Sequence, residues 1–505
     1  MTRVKDEARS GRGAAISTRL TSLEGVLSGV QTPSYARDEL GTGIVHIGLG
    51  AFHRAHQAVY TDDALARSGG DWRIAGISLR STEQVDALNA QQSLYTLLVR
   101  DEHGKRARII GSLAGAIAAA RDPVAARQAL ERPQTRIVSL TITEKAYGID
   151  RLTGRVIETH DAICHDLAHP DEPVGAVGMI VHALACRRRK GIAPFTVLCC
   201  DNLPENGRLL RAGVIDYARR VDAGLARWIA DEVSFPSTMV DRITPAADAG
   251  TRRDAHRLTG FEDAAAIETE AFSQWVIEDT FTSGRPAWHL AGALMVDDVA
   301  PYERMKLRML NGAHSLLAYT GHVMGFRYVR DALQDTEIVS LLQLHMAHAA
   351  ATLNPLANLD FTQYAFDLIA RFRNPAIAHA LSQIAMDGTE KLPQRIMAPA
   401  IERIRAGGDA GVFAFAVAAW MRYCMGVTET GQRYEINDPR AQEIATAMRA
   451  NNSDALSLAD ALFSLPGLFP DELRQAAVWR GEVVLQLKTM IGSGMRAAIV
   501  AVIPT

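Results

Sequence analysis

The feature that most constrains the fold is an alternation of short apolar runs with longer amphipathic segments between about Gly43 and Cys200. The runs have the length and the β-branched content of buried strands, and segments with helical periodicity separate them. They are Ile44-Val-His-Ile-Gly48, Trp72-Arg-Ile-Ala-Gly-Ile-Ser-Leu79, Arg136-Ile-Val-Ser-Leu-Thr-Ile-Thr143 and Pro194-Phe-Thr-Val-Leu-Cys-Cys200. This alternation is typical of a parallel sheet with helices on both faces. The pattern therefore predicts a doubly wound α/β domain.

The second half of the chain has a different pattern. A further extended piece is predicted over residues 233–243, but strand signals fade after about residue 297. Long amphipathic stretches follow, broken by glycine or proline, which indicates helices. We therefore expect a loose tail over residues 1–20, the α/β domain over residues 21–297 and a mostly α-helical domain over residues 298–505.

The composition excludes several classes of partner. A formal net charge of −3 and a pI near 6.6 predict no nucleic-acid partner and no attraction to anionic membranes. The five cysteines are odd in number and include no C-x-x-C pair, so we expect reduced thiols in a cytoplasmic protein and no clustered zinc site. We see no signal-peptide core and no apolar run long enough for a membrane helix. Oligomeric state is not determined by the sequence.

The first apolar run ends in a glycine turn, Gly48-Leu-Gly50-Ala-Phe52-His53-Arg54. After the first strand of such a domain, one glycine permits the tight turn and the next lets a pyrophosphate approach the backbone amides. The third glycine of the usual pattern is replaced by His53. The turn predicts NAD(P) binding, with Phe52, His53 and Arg54 as further candidate contacts, although the last two could instead brace the helix that follows.

Two residues after the next strand bear on the choice of dinucleotide. Glu83 could accept a hydrogen bond from the adenosine ribose and repel a 2′-phosphate, whereas Arg80 could bind such a phosphate or stack on the adenine. We predict NAD, with NADP as the alternative.

The segment Glu303-Arg-Met-Lys306-Leu-Arg308-Met-Leu-Asn311-Gly-Ala-His314 carries several proton-handling groups. On a regular α-helix at about 100° per residue, Lys306, Glu303, His314 and Asn311 fall at roughly 0°, 60°, 80° and 140°, within one arc. A partly buried lysine can exchange a proton near neutral pH, and a neighbouring amide can donate to an alkoxide. The pattern suggests proton transfer at a hydroxyl or carbonyl; a solvated helix face with ion pairs is the alternative.

Together these segments resemble the polyol-specific long-chain dehydrogenases, the family of mannitol 2-dehydrogenase and D-fructuronate reductase (D-mannonate oxidoreductase). The resemblance covers nearly the whole chain from about Gly43. The segments that carry it are Gly48 to Gln57, Thr141-Ile-Thr-Glu-Lys145, Cys200-Asp-Asn202, Met239-Val-Asp-Arg242, Gln274 to Asp279 and the K-x₄-N-x₂-H spacing of Lys306, Asn311 and His314.

The resemblance implies hydride transfer without a metal, between nicotinamide and a secondary alcohol or ketone. It implies that Lys306 is the general base and acid, that Asn202 and Asn311 hold the reacting oxygen, and that His314 orients a substrate hydroxyl. Glu303 would pass the proton between Lys306 and solvent. The resemblance also places Glu144 and Asp241 near the active site.

Extra cations bear on the substrate. Lys145, Arg308, Lys391 and Arg395 could serve a carboxylate, and Gln383 stands where mannitol-oxidising members tend to carry arginine. We therefore expect reduction of D-fructuronate to D-mannonate with NADH. The alternatives are a mannitol or other polyol 2-dehydrogenase, in which those cations form structural ion pairs or lie on the surface, and a catalytically silent NAD-binding sensor.

Overall fold

The computed structural model describes residues 18–101, 104–356, 359–375, 378–450 and 454–503. The chain divides into two compact units between Met295 and Val296, with the short segment 101–104 grouped with the second unit. Most of the tail predicted for residues 1–20 lies outside the described residues. Thr18–Arg19 form a short strand that pairs in parallel with Phe261–Glu262.

Within the described residues the strands, labelled β1 to β13 in chain order, are Thr18–Arg19, Thr42–Ile47, Arg73–Ser78, Tyr95–Asp101, Gly104–Ile110, Leu113–Ala118, Ile137–Leu140, Thr196–Cys199, Thr238–Asp241, Phe261–Glu262, Ile267–Glu270, Gln274–Glu278 and Leu294–Val296.

The α-helices of the first unit, α1 to α9, are Ala51–Ala55, Gln57–Ser68, Glu83–Asn89, Pro123–Glu131, Asp161–Ala168, Ala176–Arg189, Asn206–Val221, Ala223–Glu232 and Ala249–Thr259. Those of the second, α10 to α23, are Ala300–Met305, Gly312–Val323, Val329–Ala332, Thr336–Ala350, Phe361–Phe372, Leu381–Ile384, Gly388–Leu392, Ala398–Arg405, Gly411–Tyr423, Ala441–Ala450, Ala455–Phe463, Asp471–Gln475, Ala477–Gly492 and Met495–Val502. Short 3₁₀ turns cover Arg37–Glu39, Glu144–Tyr147 and Trp288–Ala291, and π-helical segments cover Lys306–Asn311 and Pro393–Met397.

The central sheet of the first unit is parallel and has the strand order β6-β3-β2-β7-β8. The first strand of the sheet lies in the middle, and the chain winds outward from it in both directions, so the strand order reverses between β2 and β7. In open α/β sheets ligands bind at the carboxyl ends of the strands at such a reversal. The predicted Rossmann-type α/β class is therefore confirmed for this half of the chain.

Alternating side chains divide the core of the first unit between the two faces of this sheet. Val45, Val138 and Val197 belong to one apolar cluster, whereas their chain neighbours Ile44, Ile137 and Leu198 belong to the other. Successive residues of a strand point to opposite faces, and both faces are covered by helices here. This explains why each strand reads as a continuous apolar run.

The sequence interpretation missed several strands. Between the second and third predicted runs the chain forms β4, β5 and β6 as well as helices, and the extended piece predicted for residues 233–243 is strand β9 followed by loop. The sequence from Arg100 to Arg108 is highly charged, and strand β5 carries Lys105, Arg106 and Arg108. Polar residues on exposed strand positions removed the apolar signal there.

The second unit is almost entirely helical, as predicted. Its core is one large apolar cluster around helix α18, which is buried on all sides from Val412 to Tyr423. A helix that is apolar all round lies at the centre of a domain. Helix α18 packs against α11, whose residues are almost all buried too, so α11 is held rigidly from its first turn.

Candidate active site

The glycine turn follows strand β2 and packs against the residue that follows the neighbouring strand β7, Thr141. Gly48 has a φ of 103°, and a Cβ there would overlap the carbonyl oxygen of Thr141. The Thr141 hydroxyl donates to the Gly48 carbonyl at 2.9 Å. A Cβ on Gly50, by contrast, would meet nothing nearer than the Gly48 oxygen at 3.9 Å. Gly48 is thus required by the turn, and Gly50 leaves the open space that a pyrophosphate needs.

The residues after this turn face the protein interior. His53 is fully buried and stacks on His46 with ring centroids 3.4 Å apart. The buried Arg54 guanidinium donates to backbone carbonyls of Gly50 and Ala265 and to the Gln84 amide. The sequence allowed two roles for His53 and Arg54, contact with the cofactor or bracing of the helix. The contacts seen here are those of side chains that brace helix α1. Phe52 is partly buried and stacks on His56.

The two residues expected to choose between NAD and NADP lie at the carboxyl end of β3. Arg80 is exposed in the loop that follows the strand, and Glu83 is the exposed first residue of helix α3. Both side chains are at the edge of the sheet where a Rossmann domain holds adenosine.

A carboxylate that the sequence interpretation did not assign organises the loop after β7. Asp201 accepts hydrogen bonds from the backbone N–H groups of Ile142 and Thr143, at 2.9 and 3.3 Å, and from the Tyr147 hydroxyl at 2.6 Å. Burial raises the pKa of Asp201 and holds the pKa of Tyr147 well above its ordinary value. Thr143 has a φ of 71°, which is unusual for a residue with a Cβ, so this loop is held in a conformation that it would not adopt alone.

The predicted polar residues of this sheet edge lie around that carboxylate. Glu144 follows Thr143 in the 3₁₀ turn and forms an ion pair with Arg151, while Lys145 is exposed. Asn202 is the exposed residue directly after Asp201, and Asp241 is the buried last residue of β9. The signal for Asp201 was present in the sequence, since a carboxylate directly follows a buried strand.

In the second unit, the lysine segment departs from the regular helix that the sequence predicted. The helix is α-helical up to Met305, π-helical from Lys306 to Asn311 and α-helical again from Gly312. A π-helical turn closes over five residues rather than four, and such turns are frequent at functional sites. Lys306 and Asn311 are five residues apart, so the wider turn places them one above the other, whereas the regular helix separates them by roughly 140°. Both side chains are buried.

Side chains from other helices bind carbonyl groups of this wider turn. The His345 ring nitrogen Nε2 lies 3.1 Å from the Arg308 carbonyl, and Arg395 Nη1 lies 3.4 Å from the Asn311 carbonyl and 3.1 Å from the Ser315 hydroxyl. A Cβ on Gly312 would come within 2.6 Å of the His345 ring and 3.1 Å of the Arg395 carbonyl. The turn is therefore stabilised by inserted partners, and Gly312 gives them room.

His314 lies on the next turn of the same helix and is buried. Its ring stacks on Phe372 at 4.3 Å and meets the edge of His379 at 5.4 Å. Its Nε2 has no hydrogen-bond partner among the described residues. Burial holds its pKa well below 6.5, and electrostatic interaction with His379, Arg371, Arg395 and Lys306 lowers it further. The ring is therefore neutral at neutral pH, with one nitrogen able to donate and one to accept.

The other predicted cations of the second unit have different partners. Arg308 forms a bidentate pair with Glu402 at 2.6 Å and also binds Thr352, so it braces the helix. The Lys391 ammonium donates to the carbonyls of Ile384 and Met386. Arg395 is beside Asn311, and burial lowers its pKa to about 10.

Two other predicted residues lie at the edges of this region. Gln383 is exposed on helix α15, and Glu303 is partly buried one turn before Lys306. Lys306, Asn311, His314 and Arg395 are thus gathered around one helix, while Gln383 is on the surface. Sequence reasoning missed Phe372, His379 and Arg371, which surround His314 from a helix and loop distant in the chain. Their spacing relative to His314 carries no local signal.

Two further observations concern the whole described chain. All five cysteines are free thiols. Across the described residues, every helix is either too short or too polar to cross a lipid bilayer.

Comparison with known proteins gives consistent matches over both units. Residues 42–290 match the family model described as the mannitol dehydrogenase Rossmann domain, and residues 298–491 match the mannitol dehydrogenase C-terminal domain. The chain is 45% identical to the oxidoreductase YeiQ of Escherichia coli (strain K12), over 88% of this chain and 91% of that protein. It is 41% identical to the D-mannonate oxidoreductase of the same organism, over 94% and 98%.

Among solved structures, the chain is similar to the mannitol 2-dehydrogenase of Pseudomonas fluorescens in its ternary complex with NAD and D-mannitol. The TM-score is 0.82 at 36% sequence identity, with 96% of this chain and 99% of that chain covered. Relatives named for a sugar acid and for a polyol therefore both match over nearly the full length.

Proposed function

Because the chain belongs to the mannitol dehydrogenase family of oxidoreductases acting on CH–OH groups, we propose that it interconverts D-fructuronate and D-mannonate with NAD(H). The observation that carries the chemistry is the π-helical turn that brings Lys306 and Asn311 together beside a neutral, buried His314.

We assign the proton chemistry to this turn. In the direction of alcohol oxidation, Lys306 takes the hydroxyl proton, and bound NAD accepts the hydride from the same carbon. Asn311 donates its amide N–H to the oxygen as negative charge develops, which stabilises alkoxide character without adding a charge of its own. The resemblance assigns the other amide donor to Asn202. His314 orients a neighbouring substrate hydroxyl, and Glu303 relays the proton between Lys306 and solvent.

NAD is the cofactor that the first unit suits. Gly50 offers open backbone after β2, and the strand order reverses beside that turn. Glu83 at the carboxyl end of β3 would accept a hydrogen bond from the adenosine ribose, and the relative solved with NAD supports the same choice.

The preference for a sugar acid rests on the charges around His314. Lys306, Arg371 and Arg395 all lower the pKa of that buried ring, so positive charge lies near it. A carboxylate is the group that such charge stabilises. Arg308 contributes less to this argument, because the Glu402 carboxylate already neutralises its charge. The second candidate is a mannitol 2-dehydrogenase, which the similarity to the Pseudomonas fluorescens enzyme favours.

A substrate panel tests the assignment. D-mannonate, D-altronate, mannitol, sorbitol and arabinitol are each assayed with NAD and with NADP. We expect the highest kcat/KM with D-mannonate and NAD. In Arg395→Gln, the ratio of kcat/KM for mannonate to kcat/KM for mannitol should fall about tenfold, the size of one lost charge-assisted contact. Turnover with mannitol far above that with mannonate contradicts the proposal and supports the polyol enzyme.

A lysine variant tests the chemistry. Lys306→Met is expected to lower kcat/KM by about 10²- to 10⁴-fold, the usual contribution of a general base, while NADH binding by fluorescence titration stays intact. Lys488→Met, an exposed lysine on helix α22, is the matched control. A wild-type protein that binds NADH but turns over no member of the panel would instead be a silent sensor.

A further inference from the structure

A second group of reactive side chains lies in the first unit, away from the glycine turn. Glu131 is the last residue of helix α4, and His182 and Cys186 are one turn apart on helix α6. Both helices end just before the strands β7 and β8 begin, so the group is at the amino-terminal edge of the sheet. The glycine turn and Asp201 are at the opposite, carboxyl edge. The group therefore has no part in the chemistry proposed above.

The three donor atoms are spaced as the corners of a tetrahedral metal site. His182 Nε2 lies 3.5 Å from Glu131 Oε1 and 3.5 Å from Cys186 Sγ, and all three donor atoms lie within 4.8 Å of one another. Zinc bonds of about 2.0–2.2 Å to nitrogen and oxygen and about 2.3 Å to sulfur, at tetrahedral angles, put nitrogen roughly 3.4 Å from oxygen and roughly 3.5 Å from sulfur. The observed separations fit these values without any movement of the helices.

Neighbouring cations hold two of the three donors in place. The Lys190 ammonium binds the other Glu131 oxygen, Oε2, at 2.8 Å, which leaves Oε1 directed at His182. The Arg189 guanidinium donates to Cys186 Sγ at 3.0 Å. Hydrogen-bonded partners of this kind orient metal ligands in known sites. One thiolate and one carboxylate also balance the charge of a divalent ion.

The group can be reached from solvent. A cavity of about 460 Å³ borders His182 and Arg189 and is otherwise lined largely by helices α6, α7 and α8. Of the three donors, His182 lines this cavity, so an ion would approach from its side and a water molecule would occupy the fourth coordination position. Three protein ligands with one open position is a common zinc arrangement, and a mixed nitrogen, sulfur and oxygen set suits zinc rather than magnesium or calcium.

We propose that Glu131, His182 and Cys186 form a zinc site that joins the end of helix α4 to helix α6. The two ligands on α6 are four residues apart, the spacing that places two ligands on one face of a helix. Because the third ligand comes from another helix, bound zinc links two elements that cover the same face of the sheet, and it stabilises the folded unit by binding it and not the unfolded chain.

Cobalt(II), added alone to the metal-free full-length protein, is the probe, because a tetrahedral cobalt–thiolate site absorbs visibly and in the near ultraviolet. One equivalent is expected to bind with a thiolate-to-cobalt charge-transfer band, and zinc is expected to displace it. Cys186→Ser is expected to abolish the band, and His182→Gln to weaken binding at least tenfold. Cys164→Ser, which removes an exposed cysteine of the same unit, is the matched control and should bind as the wild type does.

A wild-type protein that gives no tetrahedral cobalt spectrum at stoichiometric metal overturns the proposal, whatever the variants do. A band of equal intensity in Cys186→Ser overturns it as well. Zinc should also raise the melting temperature of the wild type and of Cys164→Ser but not that of Cys186→Ser. Far-ultraviolet circular dichroism identifies a variant that fails to fold, in which case His182→Gln decides the outcome. None of these measurements depends on turnover, so the zinc result can be interpreted even if the proposed activity is wrong.

Discussion

At the scale of single residues, Asp201 shows how one half-buried carboxylate can shape a candidate site without belonging to the reacting groups. Its two oxygens bind two consecutive backbone amides and one tyrosine hydroxyl, and these hold the loop that carries Glu144. Thr143 keeps a positive φ in the same loop. Hydrogen bonds to a charged group are stronger than those between neutral groups, so the loop depends on this one side chain.

We expect Asp201→Asn to lower the free energy of unfolding by about 1.5–3 kcal/mol, since the amide replaces one accepting oxygen by a donor that faces other donors. The kcat/KM of this variant should also fall if Glu144 takes part in substrate binding. Urea unfolding followed by circular dichroism measures the first effect. Tyr147→Phe, which removes only the hydroxyl, is the graded control and should cost about 1 kcal/mol. Equal stability of Asp201→Asn and the wild type would contradict this account.

At the same scale, the proposed zinc site depends on residues that a cysteine count does not consider. The absence of a C-x-x-C pair predicted no clustered zinc site, yet His182 and Cys186 have the spacing of two ligands on one helix face. What the sequence does not show is the third donor, because Glu131 is separated from them by about fifty residues and reaches them only through packing of α4 on α6.

At the scale of elements, the wide turn from Lys306 to Asn311 is the decisive departure from regular structure. A π-helical turn contains one residue more than an α-helical turn can accommodate, so removing one residue can restore regular geometry while helices α10 and α11 keep their buried faces. Lys306 and Asn311 would then be four residues apart on a regular helix, about 40° from each other, but their backbone would move from the wider turn to a narrower one, which shifts both side chains. The wider turn is thus a positioning device rather than a defect.

Deletion of Leu307, the least buried residue of the turn, tests this idea. We expect a folded protein with unchanged helical content and kcat/KM lowered at least 100-fold, because misplacing a catalytic group by about 1 Å is enough to cost that much. Leu307→Ala, which shortens the same side chain and keeps the chain length, is the control. A deletion variant that retains wild-type turnover would show that the turn geometry does not matter.

Gly312 directly follows the wide turn and lies against two of its partners, the His345 ring and the Arg395 backbone. We expect Gly312→Ala to destabilise the protein by about 1–3 kcal/mol, because the added methyl group meets the His345 ring and the Arg395 backbone. Thermal and urea unfolding measure this. Gly481→Ala on helix α22, where a Cβ meets no atom within 4 Å, is the matched control and should be neutral or slightly stabilising. A neutral Gly312→Ala would mean that the helices can move apart at no cost.

At the scale of the whole molecule, buried histidines make stability depend on pH. Burial lowers the pKa of His46 to about 3 and that of His345 to about 4, from 6.5. The unfolded chain therefore binds protons below about pH 6.5 that the folded chain does not. Their contribution to stability is present above that pH and is lost as the pH falls towards the folded values.

We expect the free energy of unfolding to fall between pH 6.5 and pH 4, by up to about 1.4 kcal/mol per pH unit for each such histidine. Urea unfolding over a pH series measures the slope. His345→Gln keeps a donor for the Arg308 carbonyl but cannot titrate. The free energy of unfolding of this variant should therefore change less steeply with pH, by up to about 1.4 kcal/mol per pH unit. Carboxylates titrate in both proteins and cancel in the difference. Identical slopes would contradict the buried, neutral state of His345.

The sequence by itself determined the fold class and the family. Apolar runs of strand length, Gly48 and Gly50, and the spacing of Lys306, Asn311 and His314 are local signals, because each records what one strand, one turn or one helix needs. Strand β5 was missed because a half-exposed strand with charged residues gives a weak apolar pattern, whereas β4 and β6 have apolar sequences that the interpretation did not assign.

Only the tertiary structure decided what surrounds those signals. Several features of the site depend on helices distant in sequence. His345 and Arg395 bind carbonyl groups of the π-helical turn, and Glu402 pairs with Arg308. Packing of distant helices likewise groups Glu131 with His182 and Cys186. Such contacts follow from packing, in which a buried polar group must find a partner wherever the chain brings one, and no periodicity within a segment encodes that partner.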